Sequence, residues 1–331
     1  MNVTLAAAET PPGSLGGLLP LELPGDVDAA LALAELLGRS APSSTRDLWE
    51  TLATLASHDL GVARAVEPHL DAVAILTQAG RPVPEGRWGV FAAEGGDDPL
   101  TAVEASGTWS LSGTKPWCSL ADRLDAALVT ATTTDGSRML FAVDLGQPGV
   151  SPLDGTWVAR GLTEIPSGPV RFETAAADPV GEPGWYLSRP GFAWGGIGVA
   201  ACWFGGAVGI ARTVFAAARD DKPFLLMHLG AIDELIGSAR RALAEAAELI
   251  DSAPESVDGA LLALRVRATV ARACEEILDR AAHALGPAPL ALDPAHAKRV
   301  ADLQLYVRQH HAERDQHALG STLLAAGGAP W

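Results

Sequence analysis

The sequence predicts an α+β molecule in three parts. A shortened N-terminal helical domain spans residues 1–85, a β-barrel 86–185, and a C-terminal four-helix bundle 186–331. Three observations predict it. Apolar residues recur at spacings of three and four up to about residue 80. Short runs rich in Val, Thr, Leu and Trp, broken by Gly, Asp and Pro, follow to about residue 180. Long Ala- and Arg-rich helical patterns return from about residue 191.

Each element has its own signal. "DVDAALALAELLGRS" opens on an Asp cap and closes at Gly38, and "SSTRDLWETLATLAS" carries Ser and Thr caps with an acidic residue soon after. "LGVARAVEPHLDAVAILTQAG" completes the helical set, with Pro68 as a start or kink and Gly80 as a stop. "RPVPEGR" reads as a linker. Six strand candidates follow: "WGVFAA", "TAVEASGTWSLSG" with a turn signal at Ser112-Gly113, "DAALVTATT", "RMLFAVDL", "TWVARGL" and "PVRFET". The Gly-rich "GFAWGGIGVAACWFGGAVGIARTVFAAARDD" is apolar on nearly all sides, which predicts a buried helix approached closely by its neighbours. Three more patterns, over 231–253, 256–286 and 293–326, complete the bundle, the last read as one continuous helix.

Composition narrows the function. With 48% hydrophobic and 19% charged residues the chain is globular, and at 331 residues it can bury a sizeable core. A formal charge of −16 argues against a nucleic-acid surface, which needs clustered Lys and Arg. No uninterrupted apolar run is read as reaching the ~20 residues of a membrane span, and no basic tract suits lipid headgroups. The start of the chain makes a poor export signal, and Cys118, Cys202 and Cys274 are three scattered cysteines without a disulfide framework. A reducing cytoplasm is therefore expected. No Gly-rich phosphate loop follows a strand.

The stretch "GTWSLSGTKPWCS" carries the clearest chemical hint. Trp117 and Ser119 lie two apart and would share a strand face, with Cys118 on the other. A flat ring beside a small hydroxyl suits a planar heteroaromatic ligand, and equally suits a buried Trp next to a satisfied Ser.

The order of these elements, with this hairpin, "VRFETAAADPVGEPGWYL", "GGAVGIAR", "HALGPAPL" and "ADLQLYVRQHH" in sequence, resembles the acyl-CoA dehydrogenase family over roughly residues 45–320. The resemblance implies FAD between barrel and bundle. Trp117 would then pack on the isoalloxazine, and Ser119 would hydrogen-bond near N5, with Cys118 between them. Ala93 and Glu94 would offer backbone groups from the loop before the hairpin, Arg219 would be the nearest match to a diphosphate-binding arginine, and Gly286 would mark the adenosine-binding turn. It also implies a homodimer or homotetramer acting on a small molecule, an acyl-CoA or a carrier-bound acyl group.

The family's catalytic glutamate has no counterpart. His310 stands at one usual position, with His311 beside it, and Val199–Ala201 at the other. His310 and His311 are therefore the catalytic candidates. A neutral imidazole titrates near working pH, although "RQHHAERDQH" also reads as a solvated helix face. Three functions follow: a flavoenzyme oxidising an acyl-thioester or related substrate, a flavin monooxygenase on the same fold using reduced flavin from a partner reductase, or a degenerate binding protein. His310, Glu313 and His317, with Glu276, Asp279 and His283, have the spacing of a carboxylate–histidine metal bundle, a pattern that surface helices often carry, and no metal is expected. Asp59, Glu67 and His69 could line a substrate entrance, with a solvated face as the default.

Overall fold

The computed structural model describes residues 2–6, 11–153, 155–329 and 331. Helices α1 (Val27–Gly38), α2 (Thr45–His58) and α3 (Leu60–Gln78) form the N-terminal part. Asp26 and Ser44 cap α1 and α2 through their side chains. Asp59 ends α2 and caps α3, so the chain turns there and not at Pro68, which lies inside α3.

Seven strands follow: β1 (Trp88–Phe91), β2 (Thr101–Ala105), β3 (Thr108–Ser119), β4 (Ala126–Thr133), β5 (Arg138–Asp144), β6 (Val150–Pro152) and β7 (Ser167–Val180). The pairings β4–β2–β3–β7–β5 return to β4 and close a ring, with β1 alongside β4 and β6 alongside β7. Two expectations about this region fail. The hairpin turns at Ser106-Gly107, both at positive φ (53° and 80°), as a two-residue connection matched to strand twist requires. Ser112-Gly113 lies within β3, where Gly113 (φ 121°) lets the strand pass against the Pro99 carbonyl at a bulge. "TWVARGL" forms no strand, because Trp157 turns its indole N–H back to the Leu162 carbonyl and closes a loop.

A short helix α4 (Trp185–Ser188) leads into the bundle, made of α5 (Pro190–Ala217), α6 (Pro223–Ser252), α7 (Gly259–Leu285), α8 (Pro287–Leu292), α9 (Pro294–Tyr306) and α10 (Glu313–Ala325). The last predicted helix is in fact broken. A 3-10 turn at Val307–Gln309 and Ala312 at φ 44° separate α9 from α10. His310 therefore stands outside the helix that carries Glu313 and His317, and the three-residue metal spacing predicted there does not exist.

Among the described residues α5 alone is long and apolar enough to cross a membrane, contrary to the reading that no run reaches that length. Its apolar window is 61% buried, as suits a core helix. A Cβ at Gly205 would overlap the Ala53 carbonyl, and one at Gly209 would stand 2.8 Å from the Ser57 carbonyl. The glycines thus let α5 lie directly on the α2 backbone. Gly205→Ala should cost about 1–3 kcal/mol by overpacking. Urea midpoints would check this, and an unchanged midpoint would mean that α2 yields at no cost.

Candidate active site

The site begins where β3 ends and β7 starts. Ser119 and Ser167 are cross-strand partners in register, with their Oγ atoms 2.7 Å apart. Ser167 also donates to the Ile165 carbonyl (3.1 Å), and the Leu120 N–H is held by the Pro166 carbonyl (2.8 Å). The loop before β7 is anchored to the bundle by Asp302 on α9, which accepts from the Leu162 N–H at 2.6 Å. Lys298 lies at 2.7–2.8 Å from Asp302, Glu164 and Asp59, joining α9, this loop and the cap of α3. These three carboxylates are close enough to hold a metal ion, but the cation they hold is the lysine ammonium. Their combined pull raises the Lys298 pKa despite its partial burial.

From the other side α3 presents Arg64, Glu67 and Asp71, spaced i, i+3 and i+7 on one face. Arg64 donates from Nη2 to Ser119 Oγ (2.8 Å), faces Glu67 at 3.7 Å and lies over the Tyr306 ring at 5.6 Å. Arg267 of α7 stacks on Trp203 of α5 at 4.7 Å and donates to the carbonyls of Gly196 (2.6 Å) and Gln309 (3.0 Å). Trp203 and Tyr306 meet edge to face at 6.4 Å. Asp71 pairs with Arg189 at 3.6 Å, and Arg189 is tied to Gln78.

Glu67 is the member of this cluster whose charge is least well compensated. Only 12% of its side chain is accessible. Burial, reinforced by neighbouring Asp71 and opposed by Arg64 and Arg267, pushes its carboxyl up to about 7. Desolvation wins because Arg64 spends its closest hydrogen bond on Ser119 and stands 3.7 Å from the carboxylate.

The predicted site residues separate into groups. Trp117 (φ 59°) sits at the bulge before Ser119, 61% exposed, with the Trp157 ring edge-on at 6.5 Å. Cys118 points into the barrel core, its thiol pushed up to about 12 by burial. Ala93 is half-buried in the loop after β1. Glu94 binds Lys115 (3.0 Å) and Arg138 (2.6 Å), so its carboxylate is committed to the barrel. Arg219 turns back on its own helix, donating to the carbonyls of Ala216 and Ala218. Gly286 joins α7 to α8 at φ 68°. His310 lines a separate cavity of about 270 Å³ with Arg272, Glu275 and Gln316, and desolvation lowers its pKa. His311 is exposed and faces Asp315 at 3.4 Å. None of the contacts described for these two histidines reaches Ser119. Sequence reasoning missed Arg64, Ser167, Arg267 and Tyr306, and treated Glu67 as solvated by default. The usable signal was the polar i, i+3, i+7 stripe on an otherwise apolar α3.

No family model and no curated protein matches this chain. Solved structures do. TdsC, a dibenzothiophene monooxygenase from Paenibacillus sp. A11-2 solved with FMN and indole, superposes with a TM-score of 0.77 at 18% identity, over 92% of this chain and 91% of that one. Butyryl-CoA dehydrogenase from Megasphaera elsdenii gives 0.76 at 18% identity, over 93% and 91%. This is their fold. KijD3, solved with FMN and a dTDP-linked amino-keto sugar, shares it at a TM-score of 0.73 and 21% identity, over 91% and 84%.

The ring-facing part of the site fits a flavin by its own chemistry. An accessible indole offers a flat face, and Ser119 offers a hydroxyl oxygen that keeps a spare lone pair after accepting from Arg64. The dinucleotide end fits less well. Arg219 is spent on its own helix end, and Pro287 removes a backbone donor next to Gly286.

The raised Glu67 pKa has a stability consequence. The folded state holds this proton more tightly than the unfolded chain, whose value is 4.5. The contribution is therefore complete below about pH 4.5 and is lost as pH rises through about 7. Glu67→Gln should remove a decline on the order of 3 kcal/mol between about pH 5 and pH 8. Urea midpoints measured across that range would show it, and parallel profiles for the two proteins would contradict it.

Proposed function

We propose that this protein is a flavin-dependent oxidoreductase acting on a small molecule held beside α3, α5, α7 and α9. One observation carries the reading. An exposed indole, Trp117, stands two residues before a buried hydroxyl, Ser119, which Arg64 of α3 holds at the end of β3. The solved structures with this fold include two that contain FMN, TdsC and KijD3. A bound flavin would supply two-electron or oxygen chemistry. Trp117 would take its ring face and Ser119 its polar edge. The weak dinucleotide end favours FMN over the FAD expected from the family resemblance.

The other residues orient and handle protons. Trp203 and Tyr306, buried against Arg267 and Arg64, would back a bound molecule with apolar surface and two positive charges. Glu67, with its carboxyl near 7, is the group able to take or lend a proton at neutral pH. It comes from α3, which answers the lack of a carboxylate at Val199–Ala201 and at His310. That position suits oxidation of an acyl-thioester or a related substrate, where a base must remove a proton while hydride leaves.

A second reading, monooxygenation with reduced flavin from a partner reductase, is supported by the missing bundle carboxylates and by the likeness to TdsC. Anaerobic bleaching of bound flavin by an acyl-CoA favours the first. Substrate oxygenation that requires a reductase and NADH favours the second.

Flavin binding itself is tested by titrating FMN and FAD against wild-type protein and Trp117→Ala, following flavin fluorescence. The variant should lose about tenfold in affinity, the scale of one stacking contact. If wild-type protein takes up neither flavin, the reading fails and a binding or scaffolding role remains.

A further inference from the structure

Outside the cluster around Glu67, two histidines meet where α6 packs on α7. His228 lies in the second turn of α6 and His283 in the last turn of α7. Their ring centres stand 5.7 Å apart, with the planes tilted by 58°. Asp279 lies one turn before His283 on the same face of α7, and its Oδ1 stands 3.8 Å from His283 Nε2. The side chains of Asp279 and His283 are both exposed, so either can turn toward a common point. The Nδ1 of His228 is buried and has no hydrogen-bond partner.

This trio is what folding keeps of the carboxylate–histidine pattern in the sequence. Glu276 drops out, because its carboxylate is bound to Arg280 at 2.7–2.8 Å. The half predicted on the last helix is lost with the break at 307–312. In its place α6 supplies a histidine that no spacing along the chain relates to Asp279 and His283.

The distances suit one small cation. Donors on a tetrahedral zinc, each at about 2.0–2.1 Å, stand roughly 3.3–3.4 Å apart, and two imidazoles on it have ring centres on the order of 5–6 Å apart. The observed 3.8 Å and 5.7 Å need only small side-chain rotations to reach these values. An ammonium could fill such a place, as Lys298 does between Asp59, Glu164 and Asp302. Among the described residues no Lys or Arg pairs with Asp279, whose one ionic partner is His283. A buried nitrogen without a partner is unfavourable, and a cation would take its lone pair.

We infer that His228, Asp279 and His283 form a binding site for a divalent transition-metal ion of the zinc type, which staples α6 to α7. Two imidazoles and a carboxylate select zinc, cobalt, nickel or copper over magnesium and calcium, which prefer all-oxygen sites. Three protein ligands leave the solvent side for a water molecule and give a four-coordinate ion. The site is independent of the flavin reading, and failure of either leaves the other standing.

The test uses the full-length protein, stripped of metal with a chelator and titrated with cobalt(II), whose visible bands report coordination geometry. Wild-type protein should take up one cobalt ion with the intense bands of a four-coordinate site, and zinc should displace it. Zinc should also raise the urea midpoint relative to EDTA, since it binds the folded state. His283→Ala lies at an exposed position, so the fold should survive. It should weaken cobalt affinity about tenfold or more and abolish the zinc-dependent midpoint shift. His228→Ala should do the same, and Asp279→Asn should cost about tenfold. His317→Ala, on exposed α10, should leave both readings unchanged. No uptake by wild-type protein, six-coordinate bands alone, or an affinity that survives His283→Ala would each overturn the inference.

Discussion

The guanidinium of Arg64 crosses from the helical part of the molecule to the tip of β3, and much of the site depends on that crossing. Its three kinds of contact belong to three parts of the fold: Glu67 on its own helix, Tyr306 on α9 and Ser119 on the barrel. A buried guanidinium is tolerated only when it is hydrogen-bonded and its charge is balanced. Here the hydrogen bond comes from the barrel and the balancing charge from α3. Neither part of the molecule would satisfy Arg64 alone, so their docking and the shape of the site are one event.

The same arrangement explains why a carboxyl on a helix otherwise devoted to packing sits near neutrality. Two arginines face Glu67, and by charge alone they would lower its pKa. Each directs its hydrogen bonds elsewhere, Arg64 to Ser119 and Arg267 to main-chain carbonyls of Gly196 and Gln309. Desolvation therefore outweighs attraction. At Lys298 the balance goes the other way. Three carboxylates reach bonding distance of one partly exposed ammonium, and attraction outweighs burial. The first arrangement leaves a proton that can move. The second locks a loop.

The three-part order, the caps at Asp26 and Ser44 and the Gly-lined α5 were legible because each is written in local spacing. The hairpin was legible as a hairpin, but its turn was placed at Ser112-Gly113 because two Ser-Gly pairs offer the same local chemistry. Only pairing with β7 and the close approach of Pro99 choose Ser106-Gly107. "TWVARGL" alternates like a strand, yet the Trp157 indole finds its acceptor five residues on. The break at 307–312 has neither Gly nor Pro to announce it. Trp117 and Ser119 were singled out from the hairpin, and the location of Arg219, His310 and His311 was a matter of tertiary placement that spacing along the chain could not supply. The stripe of Arg64, Glu67 and Asp71 was visible in the sequence. Whether it faced water or the interior depended on where the barrel docks.

The central claim is that Arg64 and Ser119 are energetically one unit across the junction of helices and barrel. A double-mutant cycle with Arg64→Met, Ser119→Ala and the pair, measured by urea denaturation at neutral pH, tests it most directly. A charge-assisted bond of this kind predicts a coupling of about 1.5–3 kcal/mol. Single-variant effects that add to within about 0.5 kcal/mol would contradict it, since independent sites behave that way.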